Sequence, residues 1–327
     1  MISMLAFALL ANAALAADEL VIYSERKEPL IKPILERYTR ETGVQVRWFN
    51  DQAPVLIERL AAEGEYTRAD LFLAVDAGSL WLAAQRGVLA KVQSPALEAS
   101  VPANLRDADG RWFGLSQRAR TIVRSTERVQ ASELSTYEAL AEPAWKGRLC
   151  LRSAKKVYNQ SLVATMIARD GEAETERRVR GWVANLAAPP LADDTLVVQA
   201  IAGGECDVGI VNTYYLGRML KDDPKLPVAV FWPDQAGAGV HVNISGAGVT
   251  AHSRHKAQAQ KLLEWLASAD AQHEFAAINL EYPVNPAVAM DPLIAAWGKF
   301  KADPVHVAEA GRLQPEAVRL MDRAGWH

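Results

Sequence analysis

The stretch that most restricts the fold is Trp112-Phe113-Gly114-Leu115-Ser116-Gln117-Arg118-Ala119-Arg120-Thr121-Ile122-Val123. It reads as extended, yet it is too long and too mixed in polarity for a core strand of one sheet. A strand that leaves one lobe and enters another would look like this. A second extended stretch, Val242-Asn243-Ile244-Ser245-Gly246-Ala247-Gly248-Val249, could cross in the same way. Two crossings imply two lobes joined by a two-stranded hinge, with the lobes interleaved in sequence.

On either side of the first crossing, strands alternate with helices. Leu20–Tyr23 is a short apolar strand. Pro29 suits a first helical turn, and Leu30, Ile31, Ile34, Leu35 and Tyr38 then recur at helical spacing. Pro33 is awkward there but lies near the start. Gly43 stops the helix, and Val44–Trp48 alternates like a strand. Val55–Ala62 and Asp76–Gln85 read as helices around a buried strand, Ala69–Val75. Beyond the crossing, strands are expected at Arg148–Leu151, Val208–Val211 and Val228–Phe231. Helices are expected at Asn159–Ala168, Arg177–Leu186, Thr195–Ala202, His255–Ser268 and Ala271–Ile278. The alternation implies α/β, a parallel sheet with helices on both sides, and with the two crossings each lobe is expected to be a mixed sheet flanked by helices.

The stretch with most chemical promise is Asn212-Thr213-Tyr214-Tyr215. It lies between a buried strand and the start of a helix, where Asn212 or Thr213 can cap the first free N–H groups. Neighbouring tyrosines face opposite ways in a strand but can converge at such a turn. Strand ends in open α/β sheets are where ligands bind. Two converging phenols suit a hard cation.

The 327 residues suffice for two domains with cores of their own. A formal net charge of −3 gives no support to nucleic-acid binding. Met1 to Ala17 is an apolar run ending in an A-x-A-like site, although the usual basic start is missing. It is read as an export signal, residues 1–17, cleaved after Ala16 or Ala17. Two cysteines in an exported chain, Cys150 and Cys206, suggest one disulfide. The chain-entropy model sets its stabilisation at about 4 kcal/mol. Two buried free thiols are the alternative.

Several motifs occur together in one order: Tyr23-Ser24-x-Arg26; Ala69-Asp70 with Val75-Asp76; Trp112-Phe113-Gly114-Leu115 followed by Arg118-Ala119-Arg120; Cys150-x-Arg152-Ser153 with Tyr158-Asn159-x-Ser161-Leu162; Asn212-x-Tyr214-Tyr215; Asn243-Ile244-Ser245-Gly246; and Glu281-Tyr282-Pro283-Val284. On these, nearly the whole mature chain resembles the periplasmic ferric-ion-binding proteins, the substrate-binding components of iron ABC transporters. The resemblance implies a type II periplasmic binding fold. The N-lobe would comprise residues 18–117 plus 244–293, and the C-lobe 118–243 plus 294–327. It implies Tyr158, Tyr214 and Tyr215 as ligands of Fe³⁺, an inner-membrane ABC permease as partner, and a monomeric protein in the periplasm.

The chemistry agrees. A free phenol has a pKa of about 10, and a trivalent cation beside it favours the phenolate. Three phenolates would balance three positive charges in a partly buried cleft. In relatives a synergistic anion, often carbonate, or a first-lobe side chain completes the shell. Some relatives carry His where this chain has Lys27, and Tyr where it has Glu28. That departure weakens a His-ligand model. It directs the expectation to an anion, carbonate or bicarbonate, held by Arg26, Lys27 and Arg118. Glu25, Glu28 and Tyr23 are the further candidate ligands, and His241 could line the hinge. The rival functions are a same-fold binder of a polyamine, thiamine or organophosphonate, and an enzyme. For an enzyme there is no G-x-S-x-G elbow, P-loop or Rossmann glycine fingerprint.

Overall fold

The computed structural model describes residues 19–327, so the expected export segment lies outside the described residues. In chain order the strands are β1 (Glu19–Ser24), β2 (Gln45–Asn50), β3 (Leu71–Ala74), β4 (Phe113–Ser125), β5 (Leu149–Cys150), β6 (Val208–Asn212), β7 (Val228–Phe231), β8 (Val242–Val249) and β9 (Tyr282–Pro283). The helices of the first half are α1 (Lys32–Thr42), α2 (Ala53–Glu63), α3 (Ala77–Gln85) and α4 (Pro95–Ser100). The middle of the chain holds α5 (Val157–Asp170), α6 (Glu172–Ala184), α7 (Asp194–Gly203) and α8 (Thr213–Asp222). The last part holds α9 (Lys256–Leu266), α10 (Ala269–Asn279), α11 (Pro292–Ala295), α12 (Glu309–Arg312) and α13 (Gln314–Arg323).

β4 runs through both lobes. Its first half pairs antiparallel with β8, from Phe113↔Ala247 to Ala119↔Val242. Its second half pairs with β6, from Arg120↔Asn212 to Arg124↔Val208, and with β7. The strand order is β2-β1-β3-β8-β4-β6-β5. β1 is parallel to β2 and β3, and β5 to β6. The two expected crossings are thus one antiparallel pair. Their close approach is why β8 carries glycine: a Cβ on Gly246 would collide with the Phe113 carbonyl.

The apolar residues collect into separate cores. One joins Leu20, Ile22, Phe72, Leu80 and Phe113 to Ile244, Leu263 and Phe275. Another joins Ile122, Leu149, Leu162, Trp182 and Ile210 to Leu320 and Trp326. The Cys150–Cys206 disulfide, Cα–Cα 5.9 Å, lies in a third, among Val123, Val197 and Ile201. It pins the end of β5 to the α7–β6 turn.

Two local expectations are corrected. Pro29 does not open α1: it lies in a 3₁₀ turn, Glu28–Leu30, and α1 starts at Lys32. Pro33 therefore falls in the first turn, where a missing N–H costs nothing. Asn212 stands at the N-cap of α8, but its side chain makes no cap bond. The Asn212 amide is used elsewhere, as described next.

Candidate functional site

A cavity of about 430 Å³ lies between the lobes. One wall is the β1–α1 loop (Glu25, Arg26, Lys27) with Val75. The other is Lys156 and Tyr158 at the start of α5, and Tyr214, Tyr215 and Arg218 on α8. Tyr158 comes from one helix N-terminus and the tyrosine pair from another, so the three expected ligands converge only in the fold. The Tyr214 and Tyr215 rings lie 4.6 Å apart at 31°, facing the same way as the strand-to-helix turn allows. Tyr158, Tyr214 and Tyr215 line the same wall of the cavity.

Burial governs the electrostatics of the phenols. It pushes Tyr158 up to about 12, opposed by Arg118, and raises Tyr214 well above the ordinary phenol value. Without metal both are neutral at pH 7. Cations gather around the rings: Lys156 Nζ is 4.7 Å from the Tyr158 centroid, the Arg118 guanidinium 5.5 Å and that of Arg152 5.7 Å. Arg218 lies 4.9 Å from the Tyr214 centroid. Each such contact contributes about 0.5–2 kcal/mol, and a deprotonated ring would gain from all of them. Burial pushes the Lys156 ammonium down and the Glu25 carboxyl up. Glu25 accepts the Val75 N–H at 3.0 Å.

Two donors meet the phenol oxygens. Asn212 Nδ2 donates to Tyr214 Oη at 3.2 Å, and Arg152 Nη1 to Tyr215 Oη at 3.4 Å. Behind them Arg120 and Asp194 form a buried ion pair at 2.9 Å. Removing one partner of such a pair strands the other charge, at about 3–5 kcal/mol.

The expected anion-binding set divides. Lys27 is exposed at the cavity, and Arg118 lines it while donating to the Val75 carbonyl and to Ser245 Oγ at 3.5 Å. Arg26 does not have a free guanidinium. It is 2% exposed, paired with Glu281 at 3.0 Å, bonded to Asn279 Oδ1 at 2.6 Å and to Ser245, and stacked on Phe275. Burial demanded partners for this charge, and the core supplied them.

The other candidates are also sorted. Tyr23 turns away from the cavity: its hydroxyl donates to Glu63 at 2.9 Å and Arg59 covers its ring. Glu28 is exposed and pairs with Lys32. Buried His241 is absent from the cavity wall, and burial together with Arg120 and Arg118 drives its imidazole down to about 3. Of the residues now seen in the cleft, Lys156 and Arg218 had no assigned role from sequence, and neither had Asp194 behind it. Lys156 is two residues before Tyr158 and Arg218 three after Tyr215, and spacing of that kind was the available signal. Nothing local marked Asp194.

Two α/β lobes crossed by paired strands, with a polar cleft between them, define a binding protein of the type II two-lobe class. The chain belongs to the family of bacterial extracellular solute-binding proteins, whose model matches residues 34–302. It is 41% identical to iron uptake protein A1 of Synechocystis sp. (strain ATCC 27184 / PCC 6803 / Kazusa), over 94% of this chain and 88% of that protein. The structure of Trichodesmium IdiA (FutA) in complex with iron and citrate ligands superposes with a TM-score of 0.90 at 41% identity, covering 94% of this chain and all of that one. The Bordetella ferric binding protein superposes at 0.87 and 40% identity, covering 94% and 99%. The resemblance read from the ordered motifs is borne out, and these relatives are binding and uptake proteins, not enzymes. Among the described residues no helix is long and apolar enough to cross a membrane.

Proposed function

We propose that this protein captures ferric iron in the periplasm, with Tyr158, Tyr214 and Tyr215 as tyrosinate ligands, and delivers it to an inner-membrane ABC permease. The carrying observation is the convergence of three phenols from two helix starts on one cleft wall, with cations against their rings. Hard anionic oxygens match Fe³⁺. Iron uptake by the relatives supports the same reading.

A synergistic anion completes the metal shell, held by Lys27 and Arg118. Arg26 is left out of the set because its guanidinium is already engaged. The cavity of about 430 Å³ leaves room for an anion beside the ion. The anion is of the carbonate or polycarboxylate class, and the Trichodesmium relative holds iron with citrate. The Lys27, Arg118, Lys156 and Arg218 charges speak against a cationic polyamine or thiamine. A phosphonate would use the cations but has no need of three phenols.

The test is the colour of the protein loaded with ferric ion, with bicarbonate and with citrate. Tyrosinate ligation gives a visible charge-transfer band that is lost in a Tyr158→Phe, Tyr214→Phe, Tyr215→Phe triple variant. A colourless wild-type protein would reject the reading.

A further inference from the structure

The three tyrosines are all tied to one buried ion pair. Arg120 is 1% exposed and Asp194 fully buried. From β4, Arg120 Nε donates to Asn159 Oδ1 at 2.9 Å, Nη1 to Asn212 Oδ1 at 3.2 Å and Nη2 to the Ile210 carbonyl at 3.1 Å. Asp194 Oδ2 accepts the Asn212 N–H at 3.0 Å, and Oδ1 lies 3.7 Å from Arg152 Nη1, the group that reaches Tyr215 Oη. Asn159 directly follows Tyr158, and its Nδ2 donates to the carbonyls of Arg152 and Ser153, each at 3.0 Å.

A guanidinium only donates. Asn159 and Asn212 must therefore turn their Oδ1 atoms toward Arg120, which sends their NH₂ groups the other way. For Asn212 that direction is Tyr214 Oη. The planar fork holds both amides in one orientation, which a flexible ammonium would not do. As a stabilising device the pair is costly, since apolar residues of the same volume serve a core as well. What it supplies is the polarity of the groups around the tyrosines.

We propose that the Arg120–Asp194 pair is a positioning element for the ferric site: it aims the Asn212 amide at Tyr214 Oη and steadies Asn159 and Arg152 beside Tyr158 and Tyr215. Tyr214 Oη then meets a fixed hydrogen-bond donor, which sets the direction its remaining lone pair faces. Outer partners of this kind are worth about 10- to 100-fold in metal affinity. This inference rests on the ferric-binding reading above.

The experiment compares Asp194→Asn, which breaks the pair, and Asn212→Leu, which removes the donor and leaves the pair. The control is Asp303→Asn, which breaks the part-buried Arg169–Asp303 pair of 2.6 Å at the opposite end of α5 from Tyr158. Ferric ion is supplied as its citrate complex. Both site variants should lose about tenfold or more in affinity and shift the charge-transfer band, while the control keeps both at wild-type values. Equal losses in the control, or an unshifted band in both site variants, would overturn the proposal. If Asp194→Asn does not fold, Asn212→Leu alone decides. A wild-type protein that takes no ferric ion would sink the functional reading instead. The positioning claim is then decided in the metal-free Asp194→Asn crystal structure, where Asn212 should turn from Tyr214; an unchanged Asn212 overturns it.

Discussion

Ser161 Oγ donates to Asp76 Oδ1 at 2.7 Å, and this one bond links helix α5 of the tyrosine-bearing lobe to the N-cap of α3 in the other. The same oxygen accepts Asn243 Nδ2 from the crossing strand β8 at 2.7 Å, and Oδ2 caps Ser79 at 3.2 Å. A single buried carboxylate therefore ties both lobes to the hinge, one helical turn from Tyr158. Asp76→Ala should cost about 3 kcal/mol or more, because it loses a cap and leaves several donors unpaired. Ser161→Ala removes one bond and should cost about 1 kcal/mol. Urea denaturation of both variants gives the order, and equal costs would contradict it.

Each tyrosine can be tested singly. Phe keeps the ring and its packing but removes the donor oxygen. Tyr214→Phe and Tyr215→Phe should each weaken ferric binding by at least the roughly 100-fold that loss of an outer-sphere partner can cost. Competition with a chelator of known affinity measures this. Full affinity in both variants would dismiss the tyrosine pair as ligands.

Acid should release the metal. Burial holds Tyr158 at about 12 and raises Tyr214 well above the ordinary phenol value, so both phenols are protonated at pH 7 until iron displaces the protons. Protons and Fe³⁺ compete for the same oxygens, so affinity falls as pH falls. A pH titration of the visible band should show this, and unbuffered loading should acidify the solution. A raised tyrosine has the opposite consequence for the metal-free fold. The folded value of Tyr158 exceeds the unfolded value of about 10, so its contribution is intact below pH 10. It is lost as pH rises toward 12. Absorbance titration of the apo protein near 295 nm should find a tyrosine that ionises late.

Arg26 and Lys27, neighbours on the β1–α1 loop, should behave differently. Arg26→Ala strands Glu281 in the core and should cost about 3–5 kcal/mol of stability. Lys27→Ala removes an exposed charge, should change stability by less than about 0.5 kcal/mol, and should weaken the effect of added anion on the band. Thermal melts together with anion titrations separate the two cases.

Reducing the Cys150–Cys206 disulfide should destabilise the protein by about 4 kcal/mol or less. Its sulfurs lie in a core away from the cavity wall, so ferric affinity at low temperature should hardly change. Melting with and without reductant checks the first point, and the visible band checks the second.

Local pattern was enough for much of this protein. Alternating strands and helices, Gly43 after α1, and the long polar-apolar mix of residues 112–123 are consequences of backbone preference and side-chain period, which act over a few residues. They made the two lobes and the crossing legible, and the ordered motifs brought Tyr158, Tyr214 and Tyr215 into one expectation. What a charged side chain does depends on which groups distant in sequence come to surround it. Arg26 looked like a cleft cation until Glu281 and Asn279, some 250 positions away, enclosed it. Asn212 looked like a helix cap until Arg120 and Tyr214 claimed its amide. Asp194 carried no local signal at all, since its role exists only where β4, α5 and β6 meet. Periodicity reports which face is buried; desolvation in the assembled fold decides which buried polar groups must find one another.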